Sequence, residues 1–138
     1  MEYNDDWPTC KETRVSLRIY RDDLDPDDIS SRLGISPSKS QRKGDIGPGG
    51  QILPVGGWFL SSKGHVESKD AQRHVSWILD QLADKVEVIH RLQGDDYRVQ
   101  LSCYWLTVQG HGGPMLVPEI MSRLTLFNLP IWFDFYCD

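Results

Sequence analysis

The sequence predicts an α+β domain of ferredoxin-like build. Two βαβ halves would share a four-stranded, mainly antiparallel sheet with helices on one face, and an extra long helix would lie between the halves. Three observations lead there. Apolar and polar residues alternate over Thr13–Arg21 and over Tyr97–Val108, the period of a half-buried strand. Apolar residues recur at spacings of three and four from Lys69 to Leu92, the stripe of an amphipathic helix. The third is a partial repeat. Val15-Ser-Leu17-Arg-Ile19-Tyr20 has the spacing of Val99-Gln-Leu101-Ser-Cys103-Tyr104, and Ile29-Ser-Ser-Arg32-Leu33 that of Ile120-Met-Ser-Arg123-Leu124. Duplication and the chance likeness of amphipathic elements account for this repeat equally well.

Taken in order, residues 1–12 read as a flexible arm and residues 13–138 as a single domain. In the first strand Val15, Leu17 and Ile19 point one way and Arg14, Ser16, Arg18 and Tyr20 the other. DPDDISSRLG then spells a short helix. Asp25 caps it, Pro26 fits its first turn, Asp27 and Asp28 face the positive end of its dipole, and Gly34 ends it. Residues 35–57 carry three prolines and six glycines and read as one long loop. A second strand covers Trp58–Ser61, and the long helix follows with a break near Ala83–Lys85. After the strand at 97–108, a helix opens at Pro118 and a last strand spans Ile131–Cys137. The predicted core is Val15, Leu17, Ile19, Ile29, Leu33, Trp58, Val75, Ile78, Leu82, Val99, Leu101, Leu124, Phe133 and Phe135.

Four of these places, in this order along most of the chain, resemble a bacterial family catalogued as domain of unknown function 4279. They are VSLRIYRDDLDPDDISSRLGISPS, the loop RKGD, the strand GGWFLSS and the tail FDFY after a helix. The resemblance implies a small bacterial α+β domain. It implies no activity, cofactor or site residue.

Composition narrows the function classes. The net charge is −5, and residues 1–28 alone hold nine Asp/Glu against four Lys/Arg. Such a chain repels nucleic-acid phosphates unless its cations are gathered. Three widely spaced cysteines with no CxxC pair point to reduced thiols and a cytoplasmic setting. The start MEYNDDWP lacks the cationic and apolar run of a secretion signal, and no apolar run would span a bilayer.

No motif spells a named reaction, so the reading leans away from an enzyme and implies no cofactor. The most cationic stretch, PSKSQRKGD at 37–45, offers Lys39, Arg42 and Lys43 for a phosphate or carboxylate. A phosphate loop of the Walker kind precedes a helix, whereas this stretch follows one, where cations offset the negative helix end. The structural role is favoured over an anion or nucleotide site. HGGP at 111–114 adds His111 as an acid–base or anion candidate, against the simpler reading of a flexible turn. This turn would share one end of the sheet with DDLDPDD at 22–28. Helix capping accounts for three of those aspartates, so no metal site is expected. His74 and His90 flank the long helix's stripe as partly covered surface residues, and Cys103 falls on an apolar phase as a core thiol.

The remaining candidate is the outward sheet face: Arg14, Arg18 and Tyr20 beside Arg98 and Tyr104, with Trp132 and Tyr136 from the last strand. Aromatic rings and arginines anchor protein interfaces. A protein partner therefore ranks first, a solvated or dimer-buried face second, and nucleic acid third. The leading reading is a binding protein of adaptor or immunity type. The alternative is a binder of small anions or nucleotides through the Lys39–Lys43 loop.

Overall fold

The computed structural model describes residues 1–137. Its elements run β1 (Cys10–Arg21), α1 (Pro26–Leu33), β2 (Lys39–Gln41), β3 (Gly56–Ser61), α2 (Ala71–Gln81), α3 (Val86–Gly94), β4 (Arg98–Thr107), α4 (Pro118–Leu126) and β5 (Ile131–Cys137). The α+β class holds, with a sheet of five strands in the order β2-β3-β1-β4-β5 where the sequence suggests four. β1 is central and antiparallel to both β3 and β4; β2 is antiparallel to β3, and β4 is parallel to β5.

This order corrects the idea of two equal βαβ halves. In the second half α4 carries the chain from β4 to its parallel neighbour β5. In the first half β3 pairs between β1 and β2, so the unit is split. The repeated strand segments lie side by side in β1 and β4. Leu17 faces Leu101, Val15 faces Cys103 and Ile19 faces Val99, so a local pseudo-twofold passes through the Leu17–Leu101 pair.

β2 lies inside the stretch that reads as a loop. Ser38 N–H donates to Phe59 O at 2.8 Å, and Ser40 pairs with Trp58. Residues 42–55 continue as a narrow hairpin, with Gly44 N–H on Leu53 O, Leu53 N–H on Asp45 O (2.8 Å each) and an Ile46–Ile52 bridge. The glycines and prolines here serve hairpin turns, and a three-residue strand is too short to show alternation. α1 forms as its caps dictate: Asp25 accepts from Asp27 N–H at 3.0 Å, and Gly34 adopts φ 67°, a conformation that a Cβ disfavours. The long helix divides between Gln81 and Val86 into α2 and α3.

The helices cover the face that carries Val15, Leu17 and Ile19, and twelve of the fourteen predicted core residues are buried. The exceptions lie on β5. Phe133 is half-buried and Phe135 is 53% exposed, because β5 is an edge strand that only β4 flanks. β1 starts at Cys10, and the preceding residues dock on α2: Tyr3 Oη donates to Ser76 Oγ at 2.8 Å, Asn4 N–H to the buried cap Asp70 at 2.9 Å, and Asp5 pairs with Arg73 at 2.8 Å.

Leu17 is fully buried between Leu60 of β3 and Leu101 of β4. Leu17→Ala is expected to cost about 2–5 kcal/mol of stability, read as a lowered urea midpoint with an unchanged slope.

Candidate functional site

Among the described residues, no helix lies against the strands' second face. Registers place Arg14, Arg18 and Tyr20 of β1 opposite Tyr104, Gln100 and Arg98 of β4. They also place Arg18 opposite Phe59 of β3, and Tyr104 beside Asp134 of β5. All seven residues predicted for this face therefore lie on it: Arg14, Arg18, Tyr20, Arg98, Tyr104, Trp132 and Tyr136. On β1 and β4 the pleat requires this, since each outward residue alternates with a core residue, and on β5 the pairing with β4 sets it.

Their side chains form a connected layer. The Arg14 guanidinium lies 4.0 Å from the Tyr104 ring centre, and the Tyr104 and Tyr136 rings are 5.1 Å apart. Arg98 lies 5.1 Å from Tyr20, and Tyr20 meets Phe59 edge-on at 5.4 Å. Tyr136 Oη donates to Asp134 at 3.1 Å, and this bond to a carboxylate raises the phenol's pKa. Trp132 is 41% exposed at the β5 side. Two depressions open on the face, of about 340 and 190 Å³, and share Ser16 and Arg18 in their walls.

The four anion-site candidates divide. Lys39 pairs opposite Phe59 and so joins the open face. Arg42 reaches Asp25 at 2.8 Å and Asp27 at 3.5 Å, and Lys43 reaches Asp22 at 3.4 Å. The neighbouring Asp23 and Asp28 pair with Arg21 and Arg32 at 2.6 and 3.2 Å. Each of the five clustered aspartates thus has a cation. Asp25's pKa is lowered first by the Asp27 N–H and then by Arg42. His111 lies far away. Its neighbour Gly112 packs on Thr9 so closely that a Cβ would come within 2.5 Å. Thr9 precedes β1, whereas Asp22–Asp27 follow it, and a strand of that length spans about 37 Å. The shared sheet end expected for HGGP and DDLDPDD is therefore wrong, because β4 runs antiparallel to β1. His111 joins none of the three cations.

A Ser–His pair escapes the sequence reading. His74 is buried, not at the surface. Ser62 Oγ accepts Val15 N–H at 3.0 Å and lies 2.6 Å from His74 Nδ1, and His74 Nε2 lies 2.8 Å from Ser68 O. Only one proton arrangement satisfies all of these groups: the Ser62 hydroxyl donates to Nδ1, and Nε2–H donates to Ser68 O. Burial lowers the His74 pKa, against the pull of that carbonyl. Ser62 is fully buried, so the pair ties β1 to α2 and offers no nucleophile. Spacing holds the signal, because His74 is four residues from Ile78 and on the same helix stripe. Burial also pushes the Cys10 and Cys103 thiols up to about 11, which suits inert core cysteines.

A cleft of about 410 Å³ runs along the start of β1 and residues 63–69. Its walls mix four acids with four cations, an arrangement that selects no charge. No helix among the described residues is long and apolar enough to cross a membrane, and no cluster of three His, Cys, Asp or Glu among them could hold a metal ion.

Fold and site together define a small α+β domain with one sheet face buried by helices and the other left open. The chain belongs to the family described as a domain of unknown function, DUF4279, whose model matches residues 11–138. No curated protein and no solved structure matches it.

The His74 arrangement sets a pH dependence. The folded pKa lies below the 6.5 of a free imidazole, so the unfolded chain takes up a proton first as pH falls. Stability should drop below about pH 6.5 and level off beneath the folded pKa. Urea midpoints at pH 7.5 and 5.5 should show a larger loss in the wild type than in His74→Gln, which cannot titrate. His74→Ala should cost about 2–3 kcal/mol at pH 7.5, since Ser62 and Ser68 lose a buried partner.

Proposed function

We propose that this protein is a binding module of adaptor or immunity type that receives a protein partner on its open sheet face, and that it is not an enzyme. The observation that carries this reading is the connected layer of arginine and aromatic side chains on the open face. Arg, Tyr and Trp are the residues that dominate interface energies. Their mutual contacts hold them in place before a partner arrives, which lowers the ordering cost of association. The buried free thiols Cys10 and Cys103 fit a reducing cytoplasm.

Captured from lysate of the native host, a specific protein partner should bind the wild-type chain. It should be lost with Trp132→Ala combined with Tyr104→Ala, and retained with Arg91→Ala on the helix side. Retention by all three chains would rule the face out. Salt-sensitive capture of single-stranded RNA in place of protein would shift the reading to nucleic acid, which the net charge of −5 disfavours.

A second copy of the chain is the other partner with an observation behind it. β5 is an edge strand of seven residues, IWFDFYC, with Asp134 as its one charge and with Trp132, Phe135 and Tyr136 exposed. Proteins ordinarily blunt such an edge. Sedimentation at micromolar concentration should then show a dimer that Phe135→Lys converts to monomer; a wild-type monomer removes this version.

A further inference from the structure

The open face is not uniformly charged. Among the described residues it carries Arg14, Arg18, Lys39 and Arg98 against Glu12 and Asp134, an excess of cations in a chain of net charge −5. Within it, the depression of about 340 Å³ between β1, β2 and β3 has Arg18 and Lys39 in its walls and, among the described residues, no acidic side chain. Several cations elsewhere are answered by acids. Arg14 has Glu12 at 3.7 Å, Arg21 has Asp23, Arg42 has Asp25, and Lys43 has Asp22. Among the described residues, neither Arg18 nor Lys39 makes an ion pair.

Arg18 is nonetheless held in position. Its Nη1 donates to Tyr20 Oη at 3.1 Å, and its guanidinium lies 5.6 Å from the Phe59 ring centre. Its Nε–H is shielded from water and has no acceptor among the described residues. A buried donor left unpaired carries a cost that native structures rarely leave standing. Beside it, the hydroxyl of Ser16 and that of Ser61, which already accepts Lys63 N–H at 3.1 Å, line the same depression. The site therefore offers an oriented guanidinium, an ammonium and hydroxyl donors, with Phe59 and Tyr20 as apolar walls. This is a donor set for a carboxylate.

We infer that this depression binds the carboxylate of an acidic side chain on a peptide partner, with Arg18 and Lys39 as its two charges. A carboxylate that draws the guanidinium toward the depression supplies the acceptor that Nε–H lacks, while Phe59 and Tyr20 take up the apolar stem. The inference rests on the open face being the binding surface, and it names the chemistry that face selects.

The test is an NMR titration of the whole chain with three probes: a capped peptide of alternating Glu and Leu, the same peptide with Gln for Glu, and free glutarate. The Glu peptide should shift the Arg18 side-chain N–H and the amides of Ser16–Tyr20, Lys39 and Phe59–Ser61, saturably and less tightly as salt rises. The Gln peptide should bind at least tenfold more weakly. Arg18→Gln and Lys39→Gln should each weaken the Glu peptide about tenfold with spectra otherwise preserved, and Arg91→Gln should change nothing. Equal binding of the Glu and Gln peptides, no shift at all, or shifts that survive Arg18→Gln overturn the site. Glutarate binding as tightly as the Glu peptide overturns the peptide source and leaves a free carboxylate as the ligand. If capture through Trp132 and Tyr104 persists while the carboxylate response is absent, this site alone fails and the binding-module reading stands.

Discussion

β1 is the strand on which everything else depends. It pairs along both edges, with β3 and with β4, so its backbone is fixed from two sides. Its side chains alternate without a fault from Thr13 to Tyr20, and that parity decides which face is core. A slip of one residue would put Arg14, Ser16, Arg18 and Tyr20 under the helices and Val15, Leu17 and Ile19 into water. The penalty on both faces is large, so one register is selected. The open face is thus a geometric consequence of the core. Arg18 projects outward because Leu17 and Ile19 on either side must project inward.

The charges obey a second constraint. Five aspartates crowd the turn after β1 and the start of α1, where they would repel one another. The β2–β3 hairpin brings Arg42 and Lys43 back over them, and Arg21 and Arg32 complete the set. The two most conspicuous charge clusters in the sequence therefore answer each other. Among the described residues, Arg18 and Arg98 remain unpaired on the sheet together with Lys39, the member of the cationic stretch that the aspartates do not take up.

This division separates what is legible in the residues from what is not. Alternation reveals β1, β4 and the outward face, because only a strand with one covered face keeps period 2 over eight or more residues. Helix α1 is legible from local capping chemistry. β2 is not, since three residues show no period and its pairing to β3 is a long-range fact. His74 misleads because a polar residue on an apolar stripe needs partners that only the fold supplies, here Ser62 and the Ser68 carbonyl. Phe135 matches the core parity of β5 and is still exposed, because parity gives direction and an edge strand lacks cover. The end at which His111 lies is equally hidden. It depends on β4 running antiparallel to β1, a long-range pairing that no local pattern reveals.

A face built on strands behaves differently from a site built on loops. On β1 and β4 the outward side chains alternate with buried ones, so the backbone beneath them is held by the core and their spacing to neighbours is fixed by the ladder. Stacked pairs such as Arg14 on Tyr104 add order at the side-chain level. The outward residues contribute little to the core. Changing them should therefore leave the fold in place, and changing Leu17 or Trp58 should not. Binding and stability can thus be altered separately in this domain, and its recognition face can vary in chemistry without disturbing the register that presents it.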